Sequence, residues 1–499
     1  MRCGMPSDFR SWKRANFSDA ERSEAPRYHF LMSHVATSPA NLLQALNGSL
    51  HVAGDGSLTV VNADLLRTSG AAIIAWSAAF STDETTVKSA QWLARAAAAA
   101  SGVYSASIAP LYAARAAGAY EGLSVPAINL RSQVFDMART ALECAAKMGG
   151  AALIFELARS EQTYTFQRPV DYATSIYAAA IAAGWRGPLF IQGDHYQFVA
   201  KKYAADPDAV AAEIARACRL AVDAGYRNID IDASTLVDLT QATVAEEQRV
   251  NVERSAEAAA LIRSIEPSGV EISIGGEIGE VGTNNSTVEE LAAYLNGFDA
   301  ELARLRPGAR GLSKVSVQTG TSHGGVPLPD GGVAEVALDF GVLERLGKLA
   351  RERGLAGAVQ HGASTLPEDL FHRFPEVGTA EVHLATGFQN TLYDHPSFPA
   401  ELRSEISAWL HANAADEAKP GDSEEQFIYR TRKKALGPFK RQLWELSGKG
   451  EILETQRDRF TSLFTQLGVA GTRDLVGKWV PKLPDPLPAA PSELISAAR

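Results

Sequence analysis

The sequence predicts an α/β protein: a closed (β/α)8 TIM barrel with an N-terminal α/β extension and a C-terminal helical extension. Between residues 124 and 387 one unit repeats, in which a short β-branched apolar run precedes a polar or glycine-containing turn and an amphipathic stretch rich in alanine and leucine. Eight such units favour a barrel of parallel strands with crossover helices. An open doubly wound sheet would more often show a glycine-rich phosphate loop after its first strand, and the pattern GxGxxG is absent. The predicted strands are residues 124–129, 151–157, 188–194, 228–234, 271–277, 314–320, 356–362 and 381–387.

Composition changes along the chain divide it into five parts. Residues 1–31 are polar, mixed in charge and without the apolar segment of a signal peptide, so we expect a disordered tail. Residues 32–120 form the predicted N-terminal α/β extension, and residues 121–397 the catalytic barrel. Residues 398–480 are predicted to be the helical C-terminal extension. Five prolines fall within the last segment, residues 481–499, and predict an extended proline-rich tail.

The overall composition is that of a folded protein with a large core. A chain of 499 residues allows about three domains at ~150 residues each, although a single barrel can absorb ~250. The chain is 46% hydrophobic and 21% charged, which excludes fibrous and low-complexity classes. The net charge of −10 is a mild acidity, so no basic face for nucleic acid is expected.

Apolar stretches and cysteines indicate the compartment. The longest small and apolar stretches, residues 70–80 and 172–185, fall short of the ~18–20 apolar residues of a spanning helix, so we expect no membrane span. Cys144 and Cys218 lie in alanine-rich helical patterns where a buried thiol is common, and Cys3 is the only other cysteine. This usage predicts a reducing, cytoplasmic location.

Polar residues end every predicted strand, where a barrel of this kind assembles its active site. Four of the ten histidines fall at these ends. One such histidine is more often structural, but four on one rim favour a metal site. Three neutral imidazoles leave Zn²⁺ its charge and an open position, as Lewis-acid catalysis requires. The strand-end residues are Asn129, Glu156, Asp194 with His195, Asp232 with Ser234, Glu277, Thr319 with His323, His361 with Ser364, and His383 with Thr386.

Four strings in register carry a resemblance to a known family. They are Gly193-Asp194-His195, Glu277-Ile278-Gly279, Gly320-Thr321-Ser322-His323-Gly324 and His361-Gly362-Ala363-Ser364. Over roughly residues 120–395 the sequence resembles the class II, metal-dependent fructose- and tagatose-bisphosphate aldolases.

The resemblance implies roles for individual residues. His195, His323 and His361 would hold one catalytic Zn²⁺, and Asp194 would be the general acid/base, although an aspartate there can also cap the next helix. Further roles follow for residues around this centre. Glu277 and Asp232 would line an accessory position for a second divalent or monovalent cation, and substrate would contact Asn129, Gly324, Ser364, His383 and Thr386.

The sequence departs from the family pattern at the substrate end. In the loop after the fifth strand the family has an acidic residue where this sequence has Asn285. Glu280 is therefore the candidate to take over proton transfer from that residue. Thr287 and Glu290 would form a capping box there. The eighth strand reads His383-Leu384-Ala385-Thr386, where the family has an asparagine and an aspartate. The accepted ketose is therefore expected to differ from fructose 1,6-bisphosphate.

The leading hypothesis is a zinc-dependent aldolase that acts on a ketose phosphate or a related sugar and assembles as a homodimer or homotetramer. One alternative is a metal-dependent epimerase or isomerase on the same barrel, with Asp194 and Glu280 as its two acid/bases. Another is a non-catalytic aldolase-like subunit, which the retention of all three histidines disfavours. A basic run in the C-terminal extension is either a solvated helix face or a phosphate contact. It comprises Arg430, Arg432, Lys433, Lys434, Lys440 and Arg441.

Overall fold

The computed structural model describes residues 35–279, 284–320, 338–483 and 486–499. Within these residues no helix is both long enough and apolar enough to cross a lipid bilayer. Cys144 and Cys218 are buried free thiols, as their alanine-rich patterns predict.

Residues 35–120 combine helices with three short strands. β1 (Leu50–Val52) and β2 (Leu58–Val60) form an antiparallel hairpin, and β3 (Val103–Ser105) pairs in parallel with the start of the third barrel strand. The side chain of Asp83 caps the longest helix of this region by accepting a 2.8 Å hydrogen bond from the backbone N–H of Thr86. The helices are α1 (Pro39–Ala45), α2 (Ala63–Leu65), α3 (Ala71–Phe80), α4 (Glu84–Ala100) and α5 (Ala109–Ala116), with a π-helical turn at Leu66–Gly70.

Eight parallel strands close into a barrel, which confirms the predicted fold class. Each strand pairs with its neighbours in chain order, and the eighth pairs with the first, so that His383 lies opposite Ala127. All eight predicted runs contain a strand, although the sixth and seventh are only three residues long. The strands are β4 (Val125–Asn129), β5 (Ile154–Ala158), β6 (Gly187–Gln197), β7 (Asn228–Asp232), β8 (Ser273–Glu277), β9 (Lys314–Ser316), β10 (Ala358–Gln360) and β11 (Glu381–Leu384).

Helices and turns connect the barrel strands and cover the barrel. The predicted capping box is present, because Thr287 Oγ1 accepts a bond from Glu290 N at 3.1 Å and the Glu290 carboxylate accepts one from Thr287 N at 2.6 Å. The helices are α6 (Val134–Lys147), α7 (Arg159–Tyr164), α8 (Pro169–Ala182), α9 (Ala200–Ala205), α10 (Pro207–Ala224), α11 (Val244–Ile265), α12 (Val288–Leu305), α13 (Phe340–Glu352), α14 (Arg373–Glu376) and α15 (Thr386–Asp394), with 3₁₀ turns at Ser234–Leu236, Ala363–Thr365 and Glu368–Leu370.

Part of the C-terminal segment shares the core of the barrel, and the rest forms a second hydrophobic cluster that includes Leu410 and Phe427. Phe460 and Phe464 are fully buried, and the Leu467 carbonyl accepts a 2.9 Å bond from Ser124 N at the start of the first barrel strand. The last helix buries Leu494 completely. The elements are α16 (Ala400–Asn413), α17 (Glu424–Thr431), α18 (Lys440–Trp444), α19 (Lys449–Gln466), α20 (Arg473–Trp479) and α21 (Ser492–Ala497), with 3₁₀ turns at Ala415–Glu417 and Arg432–Ala435.

Candidate active site

A β-bulge in the third barrel strand presents the two central candidate residues. Gly193 pairs with Ile229 and Tyr196 with Ile231, so β6 holds one more residue than β7 across this interval. His195 has φ 43°, a left-handed conformation that side chains rarely adopt. The bulge thus directs Asp194 and His195 to different partners.

Gly193 makes this bulge sterically possible. A β-carbon at position 193 would overlap the ring of Tyr196, which is fully buried beneath the bulge. Only glycine fits here while the tyrosine keeps its place. In the Gly193-Asp194-His195 string, the glycine is therefore explained by the backbone geometry of the bulge, and the other two residues by their chemistry.

Two histidines and a glutamate converge on one point. His195 Nε2 lies 2.9 Å from His361 Nδ1, and the two rings meet edge to face at a centroid distance of 4.5 Å. Glu277 Oε2 lies 3.4 Å from His195 Nδ1. One potential ligand atom from each of the three residues lies within 4.8 Å of the others. Two imidazoles and a carboxylate are a donor set that suits Zn²⁺ and its divalent neighbours.

Asp232 orients the first of these imidazoles. Its Oδ2 accepts bonds from His195 Nδ1 at 3.0 Å and from Gln197 Nε2 at 2.6 Å. Its Oδ1 accepts bonds from Ser234 N at 3.0 Å and Ser234 Oγ at 2.6 Å. With the proton of His195 on Nδ1, the lone pair of Nε2 faces His361, which is the arrangement of a carboxylate behind a metal-binding histidine.

His383 lies in the barrel lumen beside the candidate metal site. Its ring stacks on His361 at a centroid distance of 4.1 Å and is only 6% exposed. Its Nδ1 lies 3.4 Å from Asp194 Oδ1 and 3.1 Å from Glu156 Oε2. Its Nε2 bonds Glu381 Oε1 at 2.7 Å. Asp230 Oδ2 lies 3.7 Å from the same Nε2, so four carboxylates surround His383.

A buried ion pair fixes the lower end of this network. Lys314, 1% exposed, pairs with Glu381 and lies 2.8 Å from both Asp230 Oδ2 and Gln192 Oε1. Burial opposes the charge of Glu381, but Lys314 and His383 lower the pKa of this carboxyl to about 2. Glu381 therefore stays ionised and holds Nε2 of His383 in place.

Carboxyl groups surround the imidazoles of this site. Burial opposes the ionised form of Asp194, yet His195 and His383 hold the pKa of this carboxyl well below its usual range. Burial also opposes the charged form of His195, but Asp194 and Glu277 raise the pKa of this imidazole well above its usual range. Burial and the neighbouring Asp232 raise the pKa of Glu277 to about 7. Carboxylates that favour imidazolium in this way also favour a bound dication.

The rim of the barrel carries arginines that the sequence reasoning missed. Arg131 pairs with Glu161 at 2.7 Å, and its Nη1 lies 3.5 Å from Thr386 Oγ1. The Asn129 amide donates to the same Glu161 carboxylate at 2.7 Å. Arg131 could have been found from its position two residues after a strand end.

A second arginine reaches the rim from a distant helix. Arg459 of α19 donates from Nη2 to the carbonyl of Ser364 at 3.0 Å and from Nη1 to the carbonyl of Gly387 at 3.2 Å. These two carbonyls follow the seventh and eighth barrel strands. No local pattern around residue 459 indicates this contact, because it depends on how the C-terminal helices pack.

The other predicted residues divide into two groups. Glu280, His323 and Gly324 lie outside the residues that the structure describes. The basic run of the C-terminal extension is largely occupied by contacts outside the lumen, which favours its interpretation as a structural and solvated surface. These contacts are Arg430 with Asp422, Arg432 with Asp394, Lys434 with Glu417, Arg441 with Glu445, and Lys440 with the carbonyl of Phe166.

Comparison with known proteins adds a family match. The family described as fructose-bisphosphate aldolase class-II matches residues 113–435. No curated protein matches the sequence. Among solved structures, a probable tagatose 6 phosphate kinase from Sinorhizobium meliloti 1021 is 17% identical, with 75% of this chain and 97% of that one covered and a TM-score of 0.51. At this identity the likeness shows the barrel fold alone.

Two further solved structures are more distant in shape. Fructuronate-tagaturonate epimerase from Cohnella laeviribosi is 11% identical over 70% of this chain and 82% of its own, with a TM-score of 0.49. Fructose-bisphosphate aldolase from Campylobacter jejuni is 15% identical over 74% of this chain and 96% of its own, with a TM-score of 0.43.

Proposed function

This chain belongs to the class II fructose-bisphosphate aldolase family, and from that premise we propose that it is a metal-dependent lyase. The proposed reaction is the reversible aldol cleavage of a ketose phosphate or bisphosphate, or of a related sugar, through an enediolate. The observation that carries the proposal is the 2.9 Å approach of His195 Nε2 to His361 Nδ1, with Asp232 bonded behind His195. Two imidazole nitrogens that face each other, with a carboxylate bonded behind one ring, are typical of a metal-binding site.

His195, His361 and, from the family resemblance, His323 would hold the catalytic ion, with Glu277 as an accessory ligand. Once bound, a divalent cation such as Zn²⁺ would supply Lewis-acid stabilisation of the negative charge that develops beside the ketone. Asp232 would act behind His195 as its orienting partner, because all four of its bonds are already directed to protein groups.

Asp194 is the proposed base of the cleavage step. Its low pKa keeps the carboxylate ionised, and His383 lies 3.4 Å from its Oδ1. The carboxylate would take the proton of the hydroxyl on the far carbon. The electron pair of the carbon–carbon bond then passes to the ketone half as the enediolate, and the hydroxyl-bearing carbon leaves as an aldehyde. In the condensation direction Asp194 returns the proton.

The rim supplies groups for the anionic end of a substrate. Arg131 is held by Glu161, but its Nη1 extends toward Thr386. A guanidinium that is preoriented by one carboxylate is suited to hold a phosphate or carboxylate of the substrate with its remaining donors. We propose that Arg131 and Thr386 contribute to substrate binding, with Ser364 on the neighbouring turn.

An epimerase or isomerase on the same barrel is the second candidate. The observation that favours it is a second buried carboxyl, Glu156, which lies 3.1 Å from the same His383 Nδ1 that Asp194 approaches at 3.4 Å. A reaction that removes a proton from one atom and returns a proton to another needs two acid/base groups.

A substrate screen tests the proposed function. The kcat/KM of the purified full chain should be measured for fructose and tagatose bisphosphates, their monophosphates and unphosphorylated ketoses, with aldehyde release and epimer formation followed separately. We expect aldehyde release from at least one ketose. The imidazole of His383 replaces the family's asparagine, so we also expect that kcat/KM for fructose 1,6-bisphosphate does not exceed that for every other substrate by tenfold. A tenfold ratio corresponds to about 1.4 kcal/mol of transition-state preference. Epimer formation without aldehyde release would instead establish the second candidate.

A further inference from the structure

Glu156 is a buried carboxyl, and only one of its two oxygens accepts a hydrogen bond from the described residues. It lies inside the barrel on β5, level with Gln192 of β6, and is 1% exposed. Its Oε2 accepts a 3.0 Å bond from Gln192 Nε2 and lies 3.1 Å from His383 Nδ1. Its Oε1 has no hydrogen-bond partner among the described residues. An unsatisfied buried oxygen costs free energy, so its retention calls for a functional reason.

Glu156 and Asp194 approach the same nitrogen of one imidazole. His383 Nδ1 is 3.1 Å from Glu156 and 3.4 Å from Asp194, and neither contact has the geometry of a hydrogen bond. Asp194 Oδ1 is likewise without a hydrogen-bond partner among the described residues. Two carboxyls, each with one oxygen that accepts no hydrogen bond from the described residues, thus lie at the Nδ1 edge of His383, whose ring stacks on the proposed metal ligand His361.

The environments of the two carboxyls differ. Burial, with the nearby charge of Asp194, raises the pKa of Glu156 to about 7 against the opposing effect of His383. Glu156 also lies two residues deeper in the barrel than Asp194, because Ala158 of β5 is the residue that pairs with Asp194. Two carboxyls whose surroundings differ in this way can work as one acid and one base.

We propose that Glu156 is a second acid/base residue of this site, which gives a proton to the enediolate carbon while Asp194 takes the proton of the hydroxyl. This inference rests on the proposed aldol cleavage. As the proton leaves Glu156, the electron pair of the enediolate double bond forms a carbon–hydrogen bond and the ketone is restored. One proton is taken by Asp194 and one is given by Glu156. The site is restored when Asp194 releases its proton to water and Glu156 takes one up, so no reactant besides water is required.

Partial reactions separate this role from a structural one. The holoprotein should exchange the α-proton of dihydroxyacetone phosphate with D₂O, followed by NMR. We expect Glu156→Gln to lower this exchange by roughly 10²–10⁴-fold while the bound metal is unchanged. Asp194→Asn should show the opposite pattern and keep exchange while cleavage is lost. Glu271→Gln, on the approach to β8, is the matched control and should exchange at the wild-type rate.

Trapping with an oxidant gives the second readout. In Glu156→Gln, cleavage of the ketose identified by the substrate screen should still form the enediolate, which hexacyanoferrate(III) then oxidises faster than in the wild type. Glu156→Asp keeps a carboxyl one methylene further back, and should exchange at an intermediate rate even where the glutamine variant fails to fold.

Two results overturn the proposal: exchange in Glu156→Gln at the wild-type rate, or parallel loss of metal, exchange and trapping. Wild-type protein that binds metal yet neither exchanges this ketone nor cleaves any ketose would contradict the proposed function instead.

Discussion

The carboxylate of Asp232 and the imidazole of His195 are joined at 3.0 Å, and this bond turns the opposite ring nitrogen of His195 toward His361. The relationship matters because His195 sits in a left-handed bulge, where the backbone alone would not fix the ring. Asp232 is itself held by Ser234 and Gln197. The bulge and the carboxylate together set one imidazole in a metal-binding orientation.

Asp232→Asn should weaken metal binding by about 10–100-fold, because the amide no longer favours the required tautomer of His195. The measurement is competition between the protein and a chelator of known affinity. Asp238→Asn, on the exposed turn that follows, is the control and should leave the affinity unchanged. Equal affinity for the wild type and Asp232→Asn would show that this carboxylate does not orient the ligand.

Asp194→Asn should retain metal and fold but lose carbon–carbon cleavage by roughly 10²–10⁴-fold. The amide cannot accept the hydroxyl proton, although it keeps the shape of the side chain in the bulge. Stopped-time assays of aldehyde release, with metal content measured on the same samples, test this. Loss of metal would make Asp194 a ligand or its positioning residue, and wild-type turnover would reduce it to a structural role.

Lys314→Met should destabilise the protein by about 3–5 kcal/mol, because it removes the buried lysine charge that pairs with both Glu381 and Asp230 in the lumen. Urea unfolding monitored by circular dichroism gives the free energy. Lys88→Met removes a pair with Glu84 that is more than half exposed on both sides, and should cost far less, because water screens an exposed pair. Similar values for the two variants would refute the assigned importance of the buried pair.

The stability difference between Glu156→Gln and the wild type should depend on pH. The folded-state pKa of Glu156 is raised to about 7, so the folded protein holds this proton more tightly than the unfolded chain does. The wild type therefore loses stability from this group as pH rises from about 4.5 to about 7, and glutamine does not. Asp194, Glu381 and His383 face the group, and these three residues are present in both proteins.

Unfolding of the metal-free proteins at several pH values measures this difference. Relative to the wild type, Glu156→Gln should gain roughly 1–3 kcal/mol over that interval. A difference that stays constant with pH would mean that Glu156 is not protonated in the folded protein.

The barrel could be predicted because each βα unit is a local pattern. The run that contains Ile229 and Ile231 reads as a buried strand without reference to its neighbours, and the same holds for the other seven. Asp194, His195 and His361 could be assigned to one rim because strand ends meet there whatever the details of register. The end of the third strand was harder to predict, because strand pairing resumes after the bulge and continues to Gln197.

The lumen network could not be predicted from the same patterns. Glu156 and Lys314 lie within strands, and whether they face the lumen or the helices depends on register and strand tilt. His383 was expected to contact substrate, and it lies between Asp194, Glu156 and Glu381. Contacts of this kind join residues that are far apart in sequence, so no local signal contains them.

Metal-dependent cleavage is the most direct test of the central claim. The purified protein should be stripped with a chelator, reloaded with Zn²⁺, and assayed for metal content and aldehyde release from the ketose that the substrate screen identifies. We predict that stripping abolishes cleavage and that reloading restores it in the wild type and in His372→Ala, whose histidine is half exposed on the outside. His361→Ala should neither bind the ion nor recover. Undiminished cleavage by the stripped protein, or full metal content and turnover in His361→Ala, would contradict the account.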